Sequence, residues 1–123
     1  MTIRQALAEF DERRPNEFGE LTKIEWLSIL DERIYIEIIC THSGAKLTKF
    51  EGYDADTDRD TELMANNAYR DLYFYYLESQ MDYERGEMER YNNSSDMFNT
   101  RYEEFAAYYN RTHMPLGQKG YRI

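Results

Sequence analysis

Met88-Glu89-Arg90-Tyr91-Asn92-Asn93-Ser94-Ser95-Asp96-Met97-Phe98-Asn99-Thr100-Arg101-Tyr102-Glu103-Glu104-Phe105-Ala106-Ala107-Tyr108-Tyr109 is the stretch that decides the fold. Within it Met88, Tyr91, Ser95, Phe98, Tyr102, Phe105 and Tyr109 recur at alternating steps of three and four, the seam of two helices packed side by side. The spacing predicts a helix over about 87–110. Asn92-Asn93-Ser94-Ser95 is a weak helix former in its middle, so a break there with re-capping is the alternative.

The partner lies just upstream. Tyr69, Leu72, Tyr76 and Tyr83 line one face of a helix over about 66–84, with Asn66 or Asn67 as its N-cap and Asp71 near its positive end. Tyr73, Leu77 and Gln80 widen that face, while Phe74 and Tyr75 point elsewhere. A helix apolar nearly all round is buried by several neighbours. Arg85-Gly86 supplies a short turn, and the two helices form an antiparallel αα-hairpin.

Two shorter helices precede it. Thr2-x-x-Gln5 is a capping box, Leu7 and Phe10 give an apolar face, and Pro15 stops a helix over about 2–13. Thr22-x-x-Glu25 is a second box, with Leu21 placed to staple onto Trp26. Ile24, Leu27, Leu30, Ile34 and Ile38 then carry a helix over about 22–40. The β-branched run 34–39 also admits a strand. Residues 41–65 read as a long acidic loop, a binding arm or mobile segment, with Lys46 to Phe50 as a short β element. Residues 111–123 read as a tail. The fold class is all-α, in one domain of 123 residues.

Composition narrows the function classes. Hydrophobic residues make up 41% and charged residues 32%, which places the chain among globular proteins. A net charge of -9 disfavours sequence-independent DNA binding, which needs a basic face. Cys40 is the single cysteine, so no internal disulfide forms. The first residues lack a signal-peptide pattern and no apolar run reaches membrane-spanning length, so a soluble intracellular product is expected.

Catalytic and metal chemistry finds little footing. Asp54-x-Asp56-x-Asp58 opens like a calcium loop, but the required Gly and bidentate Glu are replaced by Arg59 and Ala65. His42 and His113 are the only histidines, too few with one Cys for a zinc set. No catalytic residue, cofactor or metal is expected.

What stands out is tyrosine, with nine of the twelve lying between Tyr69 and Tyr109. A large ring with a polar tip suits a surface that stays wet until a partner covers it. Tyr73, Tyr75, Tyr83 and Tyr108 exceed what one seam can hold. Tyr108, Asn110, Arg111, His113 and Met114 gather aromatic, amide, guanidinium and imidazole groups at one helix end, more than termination demands. These eight residues are the candidate interface. A small regulatory module that binds a phage or host protein through the same face is the rival reading.

The order of motifs resembles a family encoded among the head genes of tailed phages of Gram-positive gut bacteria. The resemblance rests on Arg14-Pro15-Asn16, Lys23-Ile24-Glu25-Trp26-Leu27, Leu30-Asp31 with Ile34-Tyr35, and Asp60-Thr61-Glu62-Leu63. It continues through Tyr69 to Tyr83, Tyr91-Asn92-Asn93-Ser94 and Tyr108 to Pro115. The family's prolines before the hairpin are absent from Met64-Ala65-Asn66-Asn67-Ala68. The resemblance implies a head-tail connector: a virion adaptor assembled in the host cytoplasm as a homo-oligomeric ring. Its implied partners are the portal protein and a tail or second connector protein, with DNA passing through the ring. It implies no membrane partner.

Overall fold

The computed structural model describes residues 1–42 and 49–113. Four α-helices follow one another: α1 (Ile3–Arg13), α2 (Glu20–Glu37), α3 (Asp71–Glu84) and α4 (Met88–Thr112). Single 3₁₀ turns lie at Ile39–Thr41 and Asn67–Tyr69. Among the described residues there is no strand, only an isolated bridge between Thr2 and Glu62. The all-α class expected from the sequence is the class observed.

The turn between α3 and α4 shows how the chain reverses. Gly86 takes φ +70, its N–H donates to the Tyr83 carbonyl (3.0 Å), and Glu87 N–H donates to that of Asp82 (3.0 Å). This is a Schellman closure, and it needs the left-handed residue that glycine supplies without strain. Arg101 then meets Asp71 (2.9 Å), the Phe98 ring meets Tyr76 (5.1 Å), and Tyr91 meets Tyr83 (5.5 Å). The numbers fall along one helix as they climb along the other, so the pair is antiparallel.

Helix α4 passes through Asn92–Ser95 unbroken. Ser94 explains the poor helix formers: its hydroxyl lies 3.0 Å from both the Arg90 carbonyl and the buried Asp82 Oδ2. The seam differs from its expected form at the turn end. Ser94 is buried where Ser95 was expected, and Met88 is 49% exposed. A strict three-four repeat drifts around a straight helix of 3.6 residues per turn, which carries Met88 off the contact line. Phe98, Tyr102 and Phe105 are buried as the spacing predicts.

Helix α3 is packed on three sides. Leu72, Tyr73, Phe74, Leu77 and Met81 are all buried. Phe74, expected to point away from the seam, does so into α1, against Phe10 (5.8 Å) and beneath the Arg13 guanidinium (3.7 Å). The N-cap expected at Asn66 or Asn67 is not formed. Arg70 occupies that position, because Asn66 Nδ2 donates to Tyr108 Oη (3.3 Å) and Asn67 Oδ1 accepts from the Met1 amine (2.5 Å).

Helix α2 begins earlier than its capping box implies. Gly19 is the N-cap, so Thr22 and Glu25 lie inside the helix. Phe18 packs on Trp26 (5.3 Å) and anchors the entry in place of Leu21, which is 55% exposed. The helix ends at Glu37, short of position 40, and the strand alternative for 34–39 is not adopted. Ile34 and Ile38 are buried while Ile36 between them is 57% exposed, which fits the helical period and not the alternating one, where all three would share a face.

The acidic segment is corrected most. Residues 43–48, which include most of the expected β element, lie outside the described residues. Residues 50–65 are no free arm. The first four amides of a helix lack internal partners, and all four of α1 are matched. Gln5 N–H donates to Thr2 Oγ1 (3.1 Å) and Thr2 N–H to Gln5 Oε1 (2.9 Å), completing the expected box. Ile3 N–H donates to the Thr61 carbonyl (3.1 Å) and Arg4 N–H to that of Arg59 (2.8 Å). Leu63 and Ala65 are buried in the core behind this contact.

Candidate interaction surface

The eight residues singled out by sequence do not form one surface. Tyr73 is fully buried, which removes it from the interface. Its hydroxyl donates to Asp31 Oδ1 (2.6 Å) and accepts from Ala65 N–H (2.8 Å). Asp31 Oδ2 accepts from Tyr53 Oη (2.5 Å) and Met64 N–H (3.2 Å). A buried carboxylate with three donors thus ties the 53–65 segment to α2 and α3. Burial pushes the Asp31 carboxyl up to about 6, against the opposing pull of the Tyr53 and Tyr73 hydrogen bonds. Burial also raises the Tyr73 hydroxyl well above the usual tyrosine range. Asp31 has no exposed surface, so no substrate reaches it.

Asn110 and His113 meet around His42, while Tyr108 faces Tyr69 and Asn66, so these residues make contacts within the chain itself. Tyr108 packs on Tyr69 (5.3 Å) and His113 stacks on Tyr109 (3.7 Å, interplanar 4°). Asn110 Oδ1 lies 2.8 Å from Nε2 of the buried His42, whose Nδ1 donates to the Ile38 carbonyl (2.6 Å). The end of α4 is thereby clasped to the turn that follows α2. His42 was the residue sequence reasoning missed, since a lone histidine after a helix carries no periodic signal. Arg111 is exposed and Tyr75 half-buried, while Met114 lies outside the described residues.

Tyr83 remains open. It is 57% exposed at the hairpin turn, with Met88 on the far side of the turn 49% exposed and the half-buried Tyr91 ring tilted against it (5.5 Å, interplanar 58°). A small cavity of about 200 Å³ lies nearby, lined by Arg14, Glu78, Asp82, Arg90, Asn93, Ser94 and Met97. Arg14 bridges Glu78 and Asp82 there, so the wall is largely self-neutralised. Among the described residues, no group of three or more His, Cys, Asp or Glu could hold a metal ion, and no helix is long and apolar enough to cross a membrane.

A second open surface was not anticipated. Ile29 (49%) and Ile36 (57%) join Leu21 as exposed apolar residues of α2. The eight- and seven-residue steps between them were a signal in plain view, hidden by the stronger core period of the same helix.

Comparison of the chain with protein-family models, with curated proteins and with solved structures finds no match in any of the three.

Proposed function

We propose that this chain is a structural adaptor of a phage virion, a head-tail connector that assembles as a ring between portal and tail. The observation that carries the reading is the hairpin turn, where Tyr83, in contact with Tyr91, and Met88 stand exposed at the end of a helix pair packed along its length. Such aromatic and methionine area suits the centre of a protein interface. The hairpin behind it is packed through the buried Phe98, Tyr102 and Phe105, which lowers the backbone ordering cost of presenting that area. An acidic chain also fits a ring that DNA traverses without adhering. The reading assigns no catalytic residue, and it narrows the interface to Tyr83, Met88, Tyr91 and Arg111.

Sedimentation of the chain alone and with portal protein tests it. A ring, or a portal-bound ring, is expected. Tyr83→Ala with Met88→Ala should abolish assembly while leaving helicity intact. A chain that stays monomeric with portal present, and instead binds a single regulatory partner, would refute the connector reading.

A further inference from the structure

The segment from Tyr53 to Ala65 is a strap, without helix or strand, whose buried anchor is Asp31. Two of the three donors on that carboxylate belong to the strap: the Tyr53 hydroxyl (2.5 Å) and Met64 N–H (3.2 Å). The third is the Tyr73 hydroxyl (2.6 Å), whose oxygen accepts from Ala65 N–H (2.8 Å), again in the strap. Tyr53 N–H adds a bond to Ser28 Oγ (3.0 Å). The Arg4–Asp60 and Arg59–Glu20 pairs (both 2.9 Å) lie at the surface, where such pairs add little.

Asp31 meets only neutral partners. Tyr53 from the strap and Tyr73 from α3 are the titratable groups bonded to it, and among the described residues no salt bridge reaches it from α1, α2 or α4. Neutral donors only partly replace the hydration of a buried carboxylate. Lifting the strap removes two donors but admits water, so the charged form gains from opening far more than the neutral form does. Opening also reaches α1. The strap supplies the Arg59 and Thr61 carbonyls that cap Arg4 and Ile3, and it buries Leu63 and Ala65.

We propose that residues 53–65 are a proton-controlled strap: ionisation of Asp31 loosens them as one unit, and the start of α1 frays with them while the α3–α4 hairpin stays closed. The sign follows from the proton. The carboxyl titrates at about 6 with the strap closed and returns towards its ordinary 3.8 once hydrated. The open fraction is therefore lowest in acid, rises about tenfold per pH unit between those values, and levels off above the upper one. The inference concerns the single chain and does not depend on the connector reading.

Native-state hydrogen exchange from pH 4.5 to pH 7.5, with each rate divided by its intrinsic value, tests it. The amides of Ile3, Arg4, Leu63 and Ala65 should share one protection factor, at least about tenfold below that of Leu77 and Tyr102 in the hairpin. That shared factor should fall roughly 25-fold across the range, most of it below about pH 6.5. In Asp31→Asn it should stay flat. Tyr53→Phe is a second, milder variant that removes one strap donor and leaves the Tyr73 bond in place. Hydrogen bonds to a carboxylate are about twice as strong as neutral ones, so this variant should lose severalfold more strap protection at pH 7.5 than at pH 4.5. Equal protection of strap and hairpin at every pH would overturn the proposal, because the strap would then open only with the whole fold. So would a pH profile unchanged in Asp31→Asn, or an equal loss at both pH values in Tyr53→Phe.

Discussion

Replacing Asp31 by Asn should remove a specific pH dependence from the stability of the fold. In the folded chain the carboxyl is fully buried and titrates at about 6, from an ordinary 3.8. The sign follows from which state holds the proton. Between those values the folded state keeps a proton that the unfolded state has released. The contribution is thus fully present below about 3.8 and is lost as the pH rises through about 6. A separation of about two pH units corresponds to about 3 kcal/mol. Asn cannot reproduce the neighbourhood. Met64 N–H is purely a donor, so the amide oxygen must face it and the NH₂ must face Tyr73, whose oxygen already accepts from Ala65. That arrangement strands a hydroxyl hydrogen at a cost of about 1–3 kcal/mol, roughly constant with pH. The assay is urea unfolding of both chains at steps from pH 4 to pH 7.5. The stability of the native chain minus that of Asp31→Asn should fall by up to about 3 kcal/mol across this range. The subtraction cancels the other carboxylates. Parallel curves for the two chains would refute the reasoning, because the buried carboxyl would then titrate alike in both states.

Phe98 is buried between α3 and α4, so Phe98→Ala should cost about 3–5 kcal/mol, seen as a lowered melting temperature. Asn110→Ala leaves Nε2 of the buried His42 without its partner and should cost about 1–3 kcal/mol in chemical denaturation. The Asp54–Asp60 segment should ignore calcium. Its carboxylates cap their own loop, with Asp56 N–H on Asp54 Oδ1 and Asp60 N–H on Asp58 Oδ1 (both 2.9 Å), while Arg59 Nη1 donates to the Thr57 carbonyl (2.6 Å). Millimolar calcium should leave the melting curve unmoved, and a saturable rise would reverse that reading.

How much could be read from residues alone depended on whether the signal was local. The Thr2–Gln5 box, the Phe98–Tyr102–Phe105 seam and the Gly86 turn were legible because each is fixed by neighbours within a turn or two. The start of α2 was misread because Thr22-x-x-Glu25 is a stronger local signal than Gly19, which caps without a side chain, and the Phe18–Trp26 contact at the true entry lies outside that rule. Tyr73 and Asn110 were read as interface because tyrosine and asparagine suit a partner's surface. In the fold their partners are Asp31, Ala65 and His42, which lie 42, 8 and 68 positions away. A polar group facing its own chain carries the same letter as one facing another. The open stripe on α2 escaped notice for the opposite reason: its three apolar residues are too sparse to outweigh the core period running beneath them.

The capping of α1 bears on how the chain matures. Two amides at its start are matched only by carbonyls at positions 59 and 61. As the polypeptide leaves the ribosome, α1 emerges before that stretch and cannot be completed until it has followed. Folding helix by helix in the order of synthesis is therefore the wrong picture within this domain. The α3–α4 hairpin closes across three residues and can form quickly, whereas the N-terminal helix waits on a long-range closure. Nascent chains stalled before position 59 should leave α1 frayed and open to proteases, and those stalled well past position 113 should protect it.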